Sequence, residues 1–307
     1  MQIVTFTMNP AIDKSSAVGH VVADRKIRCR PPVFEPGGGG INVSRAIARL
    51  GGKTLAVYPS GGPPGDLFKS LLDAEGLNHH PLPIDGFTRE NLMIYEEYTQ
   101  RQFRFGMPGP EMTEKEWRMC LDGVFELDSP EFLVASGSLP KGVPDDFFGQ
   151  LARKCSEAGA QLIVDTSGEA LVKSVQEGLF LIKPNMTELR TLAGEDLEDE
   201  SRQEAFARSL IDRGRSRYVV ISLGAAGVLA ASPEGIERVR APAVKIQSKV
   251  GAGDSTVAGI TLKLAQGRPF MDAVRYGVAA GAAAVMTPGS ELCRLEDVEA
   301  LYAKIKA

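Results

Sequence analysis

The chain has 307 residues, enough for one large α/β domain or two modest ones. Its composition, 43% hydrophobic and 24% charged, excludes disordered and fibrous classes. A net charge of -4 argues against a nucleic-acid-coating protein, and no apolar run approaches the ~20 residues of a membrane span. Four scattered cysteines (Cys29, Cys120, Cys155 and Cys293) have no CxxC spacing, so neither a disulfide framework nor a zinc site is expected, and a reducing cytoplasm fits best. Neighbouring His79 and His80 point to opposite faces of a strand, make a poor metal pair, and read as solvated residues.

In chain order, MQIVTFTMNP reads as a short alternating strand and not as a signal peptide. VVADRKIRCRPPVF follows as extended structure whose prolines suit an edge. A helix is predicted from Ile41 to Leu50, stopped by Gly51-Gly52. A strand at 54–58 and a helix at 66–75 come next, then a β-hairpin over 92–98 and 102–105. Beyond Thr113 the chain alternates: helices near 113–125, 144–158, 168–177, 186–194 and 201–213, strands near 131–135, 161–165, 180–183 and 217–222. Such alternation implies parallel strands with crossover helices. A second hairpin-like stretch spans 227–247, and helices dominate from Ala252. The extended segments near 14–36 and 88–106 break the alternation and are expected to form a separate small sheet, a lid on a single domain spanning 1–307.

Two glycine clusters carry the chemistry. FEPGGGGINVSRA places four glycines before a helix, where each costs more backbone entropy than any other residue. KVGAGDSTVAGITLKLA sets Gly251 and Gly253 ahead of an apolar helix with Asp254 in its first turn. Unpaired N–H groups and the positive dipole end at such a terminus bind phosphate well, and an N-capping Asp in a glycine turn is the plainer alternative. Common nucleotide motifs fail. LGGKT has Ile47 where a P-loop needs glycine and leads into a strand. No G-x-G-x-x-G opens a helix after a strand, and there is no G-x-S-x-G.

The pairing of GGGGINVSRAIARLGG with SKVGAGDSTVAGITL resembles the two signatures of the PfkB family of carbohydrate kinases. The resemblance continues through TREN, FRFGMPG, ASGSLPKG, DTSGEAL, KPNMTEL and ISLGAAGV, and covers essentially the whole chain. Within the family, FEPGGGGINVSRAIA and KIRC are most similar to the minor-type 6-phosphofructokinase branch. The 1-phosphofructokinase and tagatose-6-phosphate kinase branches usually carry lysine where this chain has Gly39.

The resemblance implies a ribokinase-like three-layer α/β/α sandwich with a mostly parallel sheet and a β-sheet lid. It implies transfer of a phosphoryl group from ATP to the 1-hydroxyl of fructose 6-phosphate. Asp254 would be the catalytic base, kept ionised at neutral pH by the helix dipole, while Gly251, Ala252 and Gly253 aim N–H groups at the migrating phosphoryl. Gly38 and Gly39 would let the backbone lie against the sugar, with Asn42, Asp13 and Ser138 at its hydroxyls. Arg89 and Arg104 would face the sugar's phosphate. Lys26, Arg28 and Arg30 alternate along an extended strand and so share a face. Lys26 and Arg28 would reach the partner subunit's site in a homodimer formed through the lid strands.

On the nucleotide side the resemblance places Lys183, Asn185 and Glu188, with Glu188 organising Mg2+ through water. Ser222, Gly224 and Gly227 would meet the ATP phosphates, Ser248 would lie beside the nucleotide, and adenine would rest near Ala280 and Ala284. Ser248, Val250, Thr287 and Gly289 would supply a K+ site. Another sugar-phosphate kinase, or a sugar-phosphate-binding regulator without turnover, are the alternatives.

Overall fold

The computed structural model describes residues 2–126 and 130–306. In chain order the elements are β1 (Ile3–Phe6), β2 (Ala11–Val18), β3 (Val33–Gly37), α1 (Gly39–Arg49), β4 (Thr54–Ser60), α2 (Gly62–Ala74), β5 (His79–Pro83), β6 (Arg89–Glu96) and β7 (Arg101–Phe105). Then follow α3 (Glu114–Gly123), β8 (Phe132–Ser136), α4 (Phe147–Ala158), β9 (Gln161–Asp165), α5 (Gly168–Ser174), β10 (Leu179–Ile182), α6 (Met186–Ala193) and α7 (Glu200–Asp212). The chain closes with β11 (Ser216–Ser222), β12 (Val228–Ser232), β13 (Gly235–Val239), α8 (Ala252–Ala265), α9 (Phe270–Ala284) and α10 (Leu295–Lys306).

Among the described residues, nine strands form one sheet in the order β13-β12-β11-β10-β9-β8-β1-β4-β5. Its pairs are parallel from β5 through β11, and β12 and β13 close one edge as an antiparallel hairpin. The strands are apolar on both faces because both are covered. Val134, Ile163, Leu181 and Val220 pack under α1, α8, α9 and α10. Leu133, Val164, Ile182 and Ile221 pack on the opposite side against α3 to α7. The result is the expected three-layer α/β/α sandwich.

A second sheet of four strands, β3-β2-β6-β7, contains the segments that broke the alternation. Its root is sealed by a cluster of Ile12, Ile41, Tyr58, Phe68 and Leu72 beneath α2. Three local expectations need correction. Residues 26–30 form no strand, so Lys26, Arg28 and Arg30 do not share a pleated face; the ladder of β3 begins only at Val33, past Pro31-Pro32. Proline cannot donate to a ladder, which explains the late start. The second hairpin ends at Val239, not 247. His79 is not solvated: it bonds the Tyr58 hydroxyl at 2.8 Å and Asp73 at 3.0 Å.

Candidate active site

The carboxyl ends of the parallel strands are where an open α/β sheet leaves a crevice for ligands. Here β9 ends at Asp165, Lys183 follows β10, β11 ends at Ser222, and Ser138 follows β8. Above this edge stands the N-terminus of α8. Its N-cap, Gly251, has φ +73°, a left-handed conformation that glycine adopts without strain, and a Cβ there would meet Leu292 at 2.2 Å. The turn delivers Ala252, Gly253 and Asp254 as the first three helical residues.

Asp254 accepts a hydrogen bond from Asn42 Nδ2 at 2.9 Å. Its carboxyl is pushed up to about 7, first by burial and then by the nearby Asp165 carboxylate, with Asn42 and Lys183 opposing. One side stays open to the crevice, and solvent there tempers the push. The expectation that the helix dipole keeps this group at an ordinary carboxylate value is therefore corrected, because desolvation outweighs the dipole.

Lys183 lies beside Asp254 and not only on the nucleotide side. Its ammonium is 3.2 Å from Asp165, and a Cβ on Gly253 would stand 3.4 Å from it. Burial alone would lower its pKa, but Asp165 reverses the sign and keeps the ammonium charged. Asp165 itself was missed in sequence, although DTSGEAL directly follows a strand, the position where such sheets present functional side chains.

Asn185 caps α6, accepting from the N–H groups of Thr187 and Glu188 at 2.8 and 3.0 Å. Glu188 Oε2 accepts from Asn185 N at 2.8 Å, completing a capping box. The Glu188 carboxyl is raised by burial and by Asp165, although the bond from Asn185 opposes this. Ser222 forms an isolated bridge with Asn185, joining the β11 end to the same corner. Gly224, with φ +61°, opens the turn after it, and Gly227 is needed because a Cβ would strike Val239 O at 2.0 Å.

The glycine run also has a reason within the fold itself. A Cβ on Gly39 would lie 2.2 Å from Ser136 Oγ and 2.8 Å from the Ser136 carbonyl carbon, and one on Gly38 would lie 2.7 Å from Thr7 Cγ2. The close approach is made by the protein's own strand ends, which press the start of α1 onto the sheet.

Asp13 accepts from Asn91 Nδ2 at 2.9 Å, and burial raises its carboxyl while Asn91 lowers it. Asn91 was another omission; it sits in TREN, two residues after Arg89 on the same face of β6. A cavity of about 270 Å³ between the small sheet and the loops before α8 and after α9 is lined by Asp13, Asn91, Arg104, Val250 and Ser290 among others. A larger hollow of about 570 Å³ at the amino edge of the strands, by Lys53 and His79, is lined by no carboxylate among the described residues. The smaller cavity is the one that adjoins the acid–base groups.

Arg104 is exposed on that cavity, touching only Gln102 at 3.2 Å among the hydrogen bonds of the described residues. Arg89 is engaged within the fold, donating to Met107 O at 3.1 Å and Asn9 O at 3.0 Å. Ser138 Oγ accepts from Asn9 Nδ2 at 3.1 Å. Ser248 Oγ donates to Gly289 O at 2.8 Å and accepts from Val250 N at 3.2 Å, while Thr287 Oγ1 bonds Ala284 O and Leu292 O, so these four residues gather in one turn region. Ala280 and Ala284 are both fully buried, and Ala280 packs onto Gly259 where α8 meets α9. Their small size serves helix packing in this conformation. Lys26 and Arg28 are exposed and form no ion pair among the described residues.

The pfkB family carbohydrate kinase model matches residues 6–297. ATP-dependent 6-phosphofructokinase isozyme 2 of Mycobacterium tuberculosis is 43% identical over 302 residues, 98% of this chain and 89% of that protein. The Escherichia coli isozyme 2 is 41% identical over 304 residues, 99% of this chain and 98% of that one. The E. coli phosphofructokinase-2 structure with fructose-6-phosphate superposes with TM-score 0.94 at 40% identity, and that with potassium at 0.96 and 41%; each covers 100% of this chain and 99% of its own. With both glycine signatures framing one crevice, the chain belongs to the pfkB family of carbohydrate kinases.

Proposed function

We propose that the protein is an ATP-dependent 6-phosphofructokinase, transferring the γ-phosphoryl group of ATP to the 1-hydroxyl of fructose 6-phosphate. The observation that carries the reading is Asp254: a desolvated carboxylate at the head of α8, held by Asn42, beside the charged Lys183 and next to a cavity bearing Asp13 and Arg104. Phosphoryl transfer asks little covalent chemistry of a protein, mainly alignment and charge neutralisation. Asp254 takes the proton of the attacking hydroxyl as the new P–O bond forms and the γ-phosphorus parts from its bridging oxygen, which leaves with ADP. The N–H groups of Gly251, Ala252 and Gly253, with Lys183, hold the negative charge of the phosphoryl oxygens.

Asp13 and Asn42 orient the sugar, supported by Gly38, Gly39 and Ser138, and Arg104 grips its phosphate with a free fork. Ser222, Gly224 and Ser248 border the nucleotide side. Mg2+ suits the corner formed by Glu188, whose carboxyl is raised by burial and by its acidic neighbour and so gains from a cation. Bound there with ATP, it supplies charge neutralisation for the phosphates. Oxygen-rich Ser248, Val250, Thr287 and Gly289 suit K+.

The four-stranded sheet serves as the lid and as the homodimer contact. Exposed Val33, Tyr95, Tyr98, Phe105 and Met107 on or beside it support that reading, since exposed apolar side chains favour a protein partner. Lys26 and Arg28 then complete the neighbouring site. ADP release measured over fructose 6-phosphate, fructose 1-phosphate and tagatose 6-phosphate tests the assignment. Fructose 6-phosphate is expected to give the highest kcat/KM; preference for another acceptor, or no turnover, overturns it.

A further inference from the structure

Arg45 lies on α1, three residues after Asn42, and its side chain is only 2% exposed. Acceptors from several segments surround the guanidinium. Nε and Nη2 grip Glu75 at 2.7 to 3.0 Å. Nη2 also reaches Glu35 of β3 at 3.4 Å. Nη1 faces Pro36 O at 3.2 Å, Ser290 O at 3.4 Å and Asn42 Oδ1 at 3.5 Å. On its other end, Asn42 donates through Nδ2 to Asp254.

A carboxamide has a donor end and an acceptor end, and its environment chooses which way round it sits. A guanidinium carries donors only, so it accepts as neighbour the carbonyl end alone. We propose that Arg45 is a positioning residue for phosphoryl transfer, fixing the Asn42 carboxamide with its amide end towards Asp254. Without the guanidinium, Asn42 is free to turn its carbonyl oxygen to the carboxylate, lone pair against lone pair. That arrangement favours the protonated carboxyl, which cannot act as a base. The other charged groups facing Asp254 are Asp165 at the end of β9, Lys183 after β10 and Asp13 on β2. Asp13 itself feels the positive charge of Arg45, which a lysine at that position retains. Glu35 also accepts from Ser290 Oγ at 2.6 Å, so the root of the small sheet is tied to the same guanidinium.

The inference rests on Asp254 being the base, and the test separates the two. The pH profile of kcat is recorded for the parent protein, Arg45→Lys, Asn42→Ala, the double variant and Asp254→Asn. Lysine keeps the charge, but its single nitrogen is drawn to Glu75 and Glu35, and no second nitrogen remains to hold Asn42 Oδ1 as Nη1 does. The acid limb should move up by roughly half to one pH unit in Arg45→Lys, the effect of one hydrogen bond to a carboxylate. In the Asn42→Ala background the same change should add nothing further. A merely structural Arg45 would lower thermal stability and leave the limb in place, which overturns the proposal, as does a full shift persisting without Asn42. Near-normal kcat in Asp254→Asn would instead defeat the base assignment. Neutron diffraction from parent crystals at pH 8 needs no variant: amide deuterons on the Asp254 side support the proposal, and a carbonyl oxygen there overturns it.

Discussion

Asp254 shows at the residue scale how catalytic fitness and stability oppose each other. In the unfolded chain its carboxyl ionises near the ordinary 3.8, and in the fold near 7. The folded state therefore holds a proton that the unfolded state has released between these values. Stability from this group is fully present below about pH 4 and is lost as pH rises through 7. Asn cannot ionise and still accepts the bond from Asn42. At pH 8 the Asp254→Asn protein should thus be more stable than its parent, by an amount on the order of a few kcal/mol, and the difference should vanish near pH 4. Denaturant unfolding at the two pH values checks this. The same substitution should cut kcat by ~10²–10⁴ while both substrates still bind. In the unmodified enzyme kcat/KM should fall below about pH 7 as the base becomes protonated, a limb that steady-state rates across pH 5 to 9 will reveal.

The two arginines expected at the sugar phosphate separate at the same scale. Arg104→Ala should raise KM for the sugar phosphate by roughly one to two decades and leave that for ATP nearly unchanged, since one charge-assisted contact is lost. Arg89→Ala should also lower the melting temperature, because Arg89 ties Asn9 to Met107 across the root of the small sheet. Initial rates and thermal melts on both variants distinguish them.

Among the elements, α1 and α8 matter most, because each brings a glycine-led N-terminus to the crevice. Gly251→Ala forces a left-handed residue to carry a Cβ against Leu292, at about 1–2 kcal/mol for the backbone alone. Chemical denaturation should show at least that loss, together with reduced kcat as Asp254 is displaced. The alternating elements from Thr113 to Ser222 were legible because apolar periods alternate with turn residues, and strand and helix positions there agree to within a few residues. Residues 26–30 were misread because alternating charge imitates a strand, whereas a strand exists only if a neighbour supplies its ladder. The small size of Ala280 fits a close helix as well as a ligand, and its contact with Gly259 of α8 could not be read from the string.

For the whole molecule, shared sites are the testable consequence of a dimer built on the small sheet. Activity should fall on dilution into monomers. Mixing Asp254→Asn subunits with subunits carrying Lys26→Ala and Arg28→Ala should restore part of it, because one hybrid site is then complete. Verified hybrid dimers without recovered activity would show that each subunit works alone. Among the described residues, no helix is long and apolar enough to cross a membrane.

Local sequence was sufficient for the family, the layered architecture and the position of Asp254, because glycine turns and hydrophobic periods act over a few residues and leave their mark in the string. The partners of those residues were not written there. Asp165 lies 89 positions before Asp254, and Asn91 lies 78 after Asp13, so only the crossing of strands brings them together. The same holds for energies. A helix N-terminus in isolation lowers a carboxylate's pKa, yet in the folded crevice burial and Asp165 raise it, because desolvation depends on everything packed around the group and on no single neighbour along the chain.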